Sequence, residues 1–223
     1  SKWAVEGGLT KGALVFNQQN DWAVGFRTAV TEAYPAAGGA FGEGLTLTVT
    51  NDTVDFGPAI ATIRKGQPQA VFVGLMGRQA GLFVAQAVDK GLTGPFFGVD
   101  NLAQQEFVEA AGAAAPRARM VLPSESVSPA AREFARKFRE RTGRDADAIA
   151  FKAYDAYMTL LSAIEKVVGG ARQVTGPEIR DALASARIQG ITGPIAFDAN
   201  NDLAEADYSR FTFGSDGSRV AVE

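Results

Sequence analysis

Apolar residues come in short unbroken runs through the first half of this chain and at helical spacing through the second. The first run is Ala13-Leu14-Val15-Phe16, and the chain turns polar at once after it, through Asn17, Gln18, Gln19, Asn20 and Asp21. A short apolar run with polar flanks is the pattern of a strand covered on both faces. A helix is predicted over 22–34, with Pro35 and Gly38-Gly39 as its stop. The same unit then repeats. Residues 45–50 alternate and are β-branched, which predicts a second strand. Residues 51–55 read as a turn. Phe56, Ile60 and Ile63 space a helix with Gly57-Pro58 in its first turn, ended by Gly66-Gln67-Pro68. Further strands are predicted over 70–73, 95–98 and 118–122, with helices over 79–90 and 103–111. Strand–helix alternation implies an α/β lobe of three layers, a parallel sheet with helices on both faces.

The second half changes character. Residues 123–129 have the composition of a linker or crossover. Three helices are predicted over 130–142, 147–168 and 176–186. The first turns Phe134, Ala135 and Phe138 inward and Arg132, Arg136, Lys137 and Arg139 to solvent. The second has a broad apolar face of Ile149, Phe151, Tyr154, Tyr157, Leu160, Leu161 and Ile164, and stops at Gly169-Gly170. Residues 190–202 are turn-rich with one short strand. A hairpin closes the chain, with strands over 209–213 and 219–222 about the turn Ser215-Asp216-Gly217.

Composition narrows the function classes. At 46% hydrophobic and 21% charged the chain is globular rather than disordered. A net charge of −3 leaves no basic footprint for nucleic acid. No apolar run is long enough to span a bilayer. Cysteine and histidine are both absent, which excludes disulfides, thiol catalysis, ordinary zinc sites and histidine bases. The opening residues read as the end of a helix followed by the stop Gly7-Gly8, so the expectation is a fragment or truncated piece.

In parallel sheets of this kind ligands bind beyond the carboxyl ends of the strands. That rule selects the loops 17–22, 74–78 and 99–101, and with them Asn17, Gln18, Asp21, Trp22, Leu75, Met76, Arg78 and Asp100. Trp22 at a helix entrance is either a wall for a small ligand or a staple between helix and strand. Asp100 either pairs with a ligand ammonium or caps the next helix with Asn101, and one carboxylate can do both. Arg78 either meets a ligand carboxylate or is a solvated arginine at a helix start. Met76 is filler or an apolar wall.

Four stretches in this order resemble the type I periplasmic binding proteins of ABC importers, in the branched-chain amino-acid (leucine/isoleucine/valine-binding) family. They are Asn20-Asp21-Trp22, Val54-Asp55-Phe56, Tyr154-Asp155-Ala156 and, the most diagnostic, Gly190-Ile-Thr-Gly-Pro-Ile-Ala-Phe-Asp198 with Asp202. The resemblance covers essentially the entire chain. It implies a Venus-flytrap of two α/β lobes with the ligand held between them. On that reading residues 1–122 are the second lobe, 123–208 the C-terminal part of the first lobe as a helical remnant, and 209–223 a return into the second.

The resemblance also implies that Trp22 and Met76 stand where the family has ligand-contacting aromatics. Asp100 stands where it has the carboxylate for the α-ammonium. Methionine in place of an aromatic, and aspartate in place of the glutamate of some members, are departures that bear on ligand identity. The first-lobe sheet that usually supplies donors for the ligand carboxylate has no counterpart here, so impaired binding is expected. The helices after Pro123 would then lack their covering sheet, with self-association as one outcome.

Two functions follow. The first is an extracytoplasmic solute-binding protein, periplasmic or lipid-anchored, that passes an amino acid or similar small molecule to the membrane permease of an ABC importer. The second is the sensory ligand-binding domain of a receptor or regulator with the same fold. No cofactor is implied. An enzyme is disfavoured: there is no Gly-rich phosphate loop and no Ser-x-x-Lys or Gly-x-Ser-x-Gly arrangement.

Overall fold

Side chains along Lys11–Asn17 (β1) go alternately to two faces, and both faces are buried. Ala13 and Val15 enter one core, Leu14 and Phe16 the other. The strand therefore reads as an unbroken apolar run because neither side meets water. The computed structural model describes residues 1–124, 128–168 and 174–222. The expected stop at Gly169-Gly170 and the middle of the 123–129 crossover lie outside them. The chain forms two compact units, one of Ser1–Leu122 with Ser209–Glu223, the other of Pro123–Tyr208.

In the first unit β1 is followed by Ala40–Val49 (β2), Ala70–Gly74 (β3), Phe96–Gly98 (β4) and Ala118–Pro123 (β5). Their order is β2-β1-β3-β4-β5 and every pairing is parallel. Lys2–Glu6 (α1) and Asp21–Ala36 (α2) pack on the face of Leu14, Phe16 and Phe72. Gly57–Gly66 (α3), Gly77–Asp89 (α4) and Gln105–Ala111 (α5) pack on the face of Val15, Val71 and Val73. This is the expected three-layer α/β arrangement.

Boundaries differ from expectation most in three places, the first being β2, which begins at Ala40 rather than 45. Pro35 lies inside α2 rather than ending it. Its missing N–H forgoes the bond to Thr31 O, and its ring crowds that carbonyl. The turn is held by Tyr34, which is fully buried and donates its hydroxyl to Leu9 O at 2.6 Å. The helix expected from residue 103 is divided into a 3₁₀ turn, Asp100–Leu102, and α5.

In the second unit the helices are Pro129–Thr142 (α6), Ala148–Val167 (α7) and Gly176–Ala184 (α8). Asp147 caps α7, its Oδ1 accepting from Ala150 N at 2.8 Å. The arginine-rich side of α6 is solvated, with Arg136 bonded to Glu133 and Glu140. Where one strand was expected there are two, Arg187–Gly190 (β6) and Gly193–Ala196 (β7), paired antiparallel. The cause is a buried carboxylate. Asp155, 4% exposed, accepts from Ile191 N at 2.8 Å, Thr192 N at 2.9 Å and Thr192 Oγ1 at 2.6 Å, and so fixes the connecting turn. Gly190 makes room for it, since a Cβ there would sit 2.6 Å from Asp155 Oδ2. Two of the four family-like stretches are thus one structural device.

The face of α7 expected to point inward is corrected in part. Its buried stripe is Asp155, Thr159 and Ala163, which meets β6 and α8. Phe151 and Tyr154 join Phe134 of α6 in ring contacts, but Ile149 is 73% exposed and Tyr157 61%. The chain then returns to the first unit. Tyr208–Phe213 (β8) and Arg219–Val222 (β9) form an antiparallel hairpin that extends the large sheet beyond β5.

Asp155→Ala would leave the Ile191 and Thr192 amides without an acceptor. It is expected to lower the stability of the second unit by about 3 kcal/mol. Thr192→Val, which keeps both backbone bonds, should cost about 1 kcal/mol. Urea unfolding followed by circular dichroism checks both, and equal losses would contradict the assignment.

Candidate functional site

Ladder bonds end with the strands, so the loops beyond β1, β3 and β4 must be held by something else. Side-chain amides do this. Asn17, 5% exposed, donates both hydrogens of Nδ2, to Asn51 Oδ1 at 2.9 Å and to Gln79 Oε1 at 3.1 Å. Its Oδ1 accepts from Gln19 N at 2.9 Å. Gln79 Nε2 donates in turn to Thr50 O at 2.8 Å, and Gln19 Oε1 accepts from Asn51 N at 2.9 Å. The exits of β1 and β2 and the start of α4 are tied together this way. Asn17, expected at the ligand, has its hydrogen-bonding capacity spent inside the protein.

Asn20 caps α2, its Oδ1 accepting from Ala23 N at 3.0 Å. Asp21 follows it, exposed in the first turn, where a carboxylate suits the positive end of the helix. Trp22 is half-exposed and stacks on Phe26, one turn on, with ring centroids 5.4 Å apart and planes at 17°. Phe26 in turn lies against the last residue of β3: a Cβ on Gly74 would come 3.0 Å from Phe26 Cδ1 and 2.9 Å from Phe16 Cβ. Phe26 escaped the sequence reading, although its spacing of four from Trp22 was the available signal.

Beyond Gly74, Leu75 is fully buried in the core and offers the edge only its backbone. Met76, half-buried, is the N-cap residue of α4. Arg78 is exposed in the first turn of that helix, and Gln18 is exposed beyond β1. Asp100 is exposed at the start of its 3₁₀ turn and makes no side-chain cap there. Its neighbour Asn101 is fully buried. Thus Trp22, Met76 and Asp100 stand beyond the carboxyl ends of three adjacent parallel strands. They are connected through Phe26 on Gly74 and, as shown below, through Asn101. The edge offers an indole face, a thioether and one carboxylate with no partner among the described residues. Among the described residues no acidic cluster suits a metal ion.

The second unit carries an open groove of 1240 Å³. Leu160, Leu183, Ile195, Phe197 and Leu203 supply its apolar lining, and the Asp155 carboxylate within it is already bonded to the 191–192 turn.

Residues 1–218 match the periplasmic binding protein family. The chain is 24% identical over 225 residues to a leucine-, isoleucine-, valine-, threonine- and alanine-binding protein of Pseudomonas aeruginosa, covering all of this chain and 58% of that protein. Its fold is similar to a leucine binding protein of Thermotoga maritima, with a TM-score of 0.82 at 22% identity over 99% of this chain and 61% of the other. It is likewise similar to a branched-chain amino acid transporter substrate binding protein of Streptococcus pneumoniae solved with isoleucine, with a TM-score of 0.76 at 23% identity, covering 63% of that chain. The chain spans about six-tenths of the length of these relatives.

Trp3 and Trp22 are the only tryptophans, so a Trp3→Phe background isolates the edge. In that background Gly74→Ala should displace Phe26, loosen the stacked pair and shift Trp22 emission to the red. Overpacking of this kind should also cost about 1–3 kcal/mol. Unchanged emission would contradict the stacking chain.

Proposed function

The chain belongs to the periplasmic binding protein family, a family of binding proteins and not of enzymes, and on that premise we propose that it binds an amino acid or a similar amine-bearing small molecule for an ABC importer. The observation that supports this most is the shared edge of β1, β3 and β4. It carries a half-exposed Trp22 and Met76 and an exposed Asp100 that has no partner among the described residues. An apolar surface with one carboxylate suits a cationic amine on an apolar body. The first unit corresponds to the second lobe of the family and the second unit to the later part of the first lobe. An extracytoplasmic location follows from the family. A periplasmic or lipid-anchored form that docks on a membrane permease completes the proposal. Among the described residues no helix is long and apolar enough to cross a membrane.

Because the chain spans about six-tenths of its relatives, its own affinity is expected to be weak, in the millimolar range. Leucine, isoleucine, valine and phenylalanine, each at about 10 mM, should raise the melting temperature by mass action. Asp100→Ala should remove most of that rise. No rise with any amine-bearing ligand, or a rise that survives Asp100→Ala, would overturn the proposal.

The exposed apolar face of α7 supports self-association as a second property. Sedimentation should show dimers or larger species that dissociate in Ile149→Ser/Tyr157→Ser. A monomer at every concentration would refute it.

A further inference from the structure

Pairing of β3 with β4 runs through Val71↔Phe96 and Phe72↔Phe97, so it stops before either strand has reached its loop. One side chain takes over from there. Asn101 Nδ2 donates to Val73 O at 2.9 Å and to Leu75 O at 2.7 Å, while its Oδ1 accepts from Val99 N at 2.9 Å. Both donors are spent, and the group is 0% exposed. Two of the three residues it bonds immediately precede the two proposed to face a ligand: Leu75 precedes Met76, and Val99 precedes Asp100. Gly98 is shaped for the same purpose. A Cβ there would come 2.6 Å from Leu102 Cδ1 and 2.9 Å from Asn101 Oδ1, so any larger residue would crowd Leu102 first and the amide with it.

We propose that Asn101 is the positioning residue of this edge: its buried amide sets the separation of the Met76 turn from the Asp100 turn, and so whether both reach one ligand. This rests on the binding reading above for its consequence, but not for its geometry. The isosteric Asn101→Asp keeps the volume and replaces Nδ2, with its two N–H donors, by one oxygen that opposes two carbonyls. The same hydrogen bonds make it a core staple, so the test must separate local from general loosening.

Hydrogen exchange on the full chain does so without any ligand. In Asn101→Asp, exchange should accelerate about tenfold or more in segments 74–77 and 98–102, with 13–16 and 71–73 unchanged. Unchanged exchange in the two loops, or equal acceleration throughout the sheet, would overturn the proposal. Should that variant fail to fold, Asn101→Ser retains one donor and is read in the same way.

Isoleucine is the probe for the consequence. Asn101→Asp should weaken it about tenfold in the wild-type background and clearly less in Asp100→Asn, which keeps a weaker contact, since an effect exerted through Asp100 shrinks with it. Additive losses would refute positioning. If the wild-type chain gives no isoleucine response, the binding reading fails, and the exchange pattern decides the role of Asn101 alone.

Discussion

A parallel ladder bonds backbone to backbone only as far as its shorter strand reaches, and the residues proposed to meet a ligand in this first unit lie past that point. β4 has three residues, so the loops beyond β3 and β4 cannot be placed by the sheet itself. Buried side-chain amides continue the ladder by other means. Asn17 and Gln79 hold the exits of β1 and β2 to the start of α4, and Asn101 holds the exit of β3 to that of β4. Amides suit this task because each is donor and acceptor at once and carries no charge to desolvate. The cost of burying them is met only while every partner is in place, and Asp100 takes no part in that network while Trp22 packs on Phe26 and the core beneath it.

The sheet was legible because its signal is coarse. Two cores, one on each face, require unbroken apolar runs at 13–16 in β1 and 70–73 in β3, and such runs cannot be mistaken for solvent-facing structure. What sequence could not show was which polar residues face inward. Asn17 and Asp100 have the same character on paper, each a polar residue just past a buried strand. One is consumed by Asn51 and Gln79, the other is exposed. That difference depends on residues tens of positions away. The same holds for Pro35, kept inside α2 by a tyrosine bonded to Leu9, and for the β6–β7 hairpin, which exists because Asp155 reaches the 191–192 turn from another helix.

Asp155 also shows how a family resemblance and a physical reason can coincide. The stretches around Tyr154 and around Gly190 are far apart in sequence and were read as separate signs of one family. In the fold they are a carboxylate and the turn it binds. The second unit is built around that contact, while much of the apolar face on the other side of α7 stays in solvent. The first unit is the better-buried of the two and carries the edge on which recognition is proposed to depend.

Amide chemical shifts of the ¹⁵N-labelled chain, titrated with isoleucine, measure most directly whether that edge is where a ligand sits. Perturbations should cluster at Trp22, Met76, Gly77, Asp100 and Asn101, with the β1 and β3 interiors unmoved. Saturating shifts confined instead to the groove of the second unit, around 192–207, would show that recognition lies elsewhere.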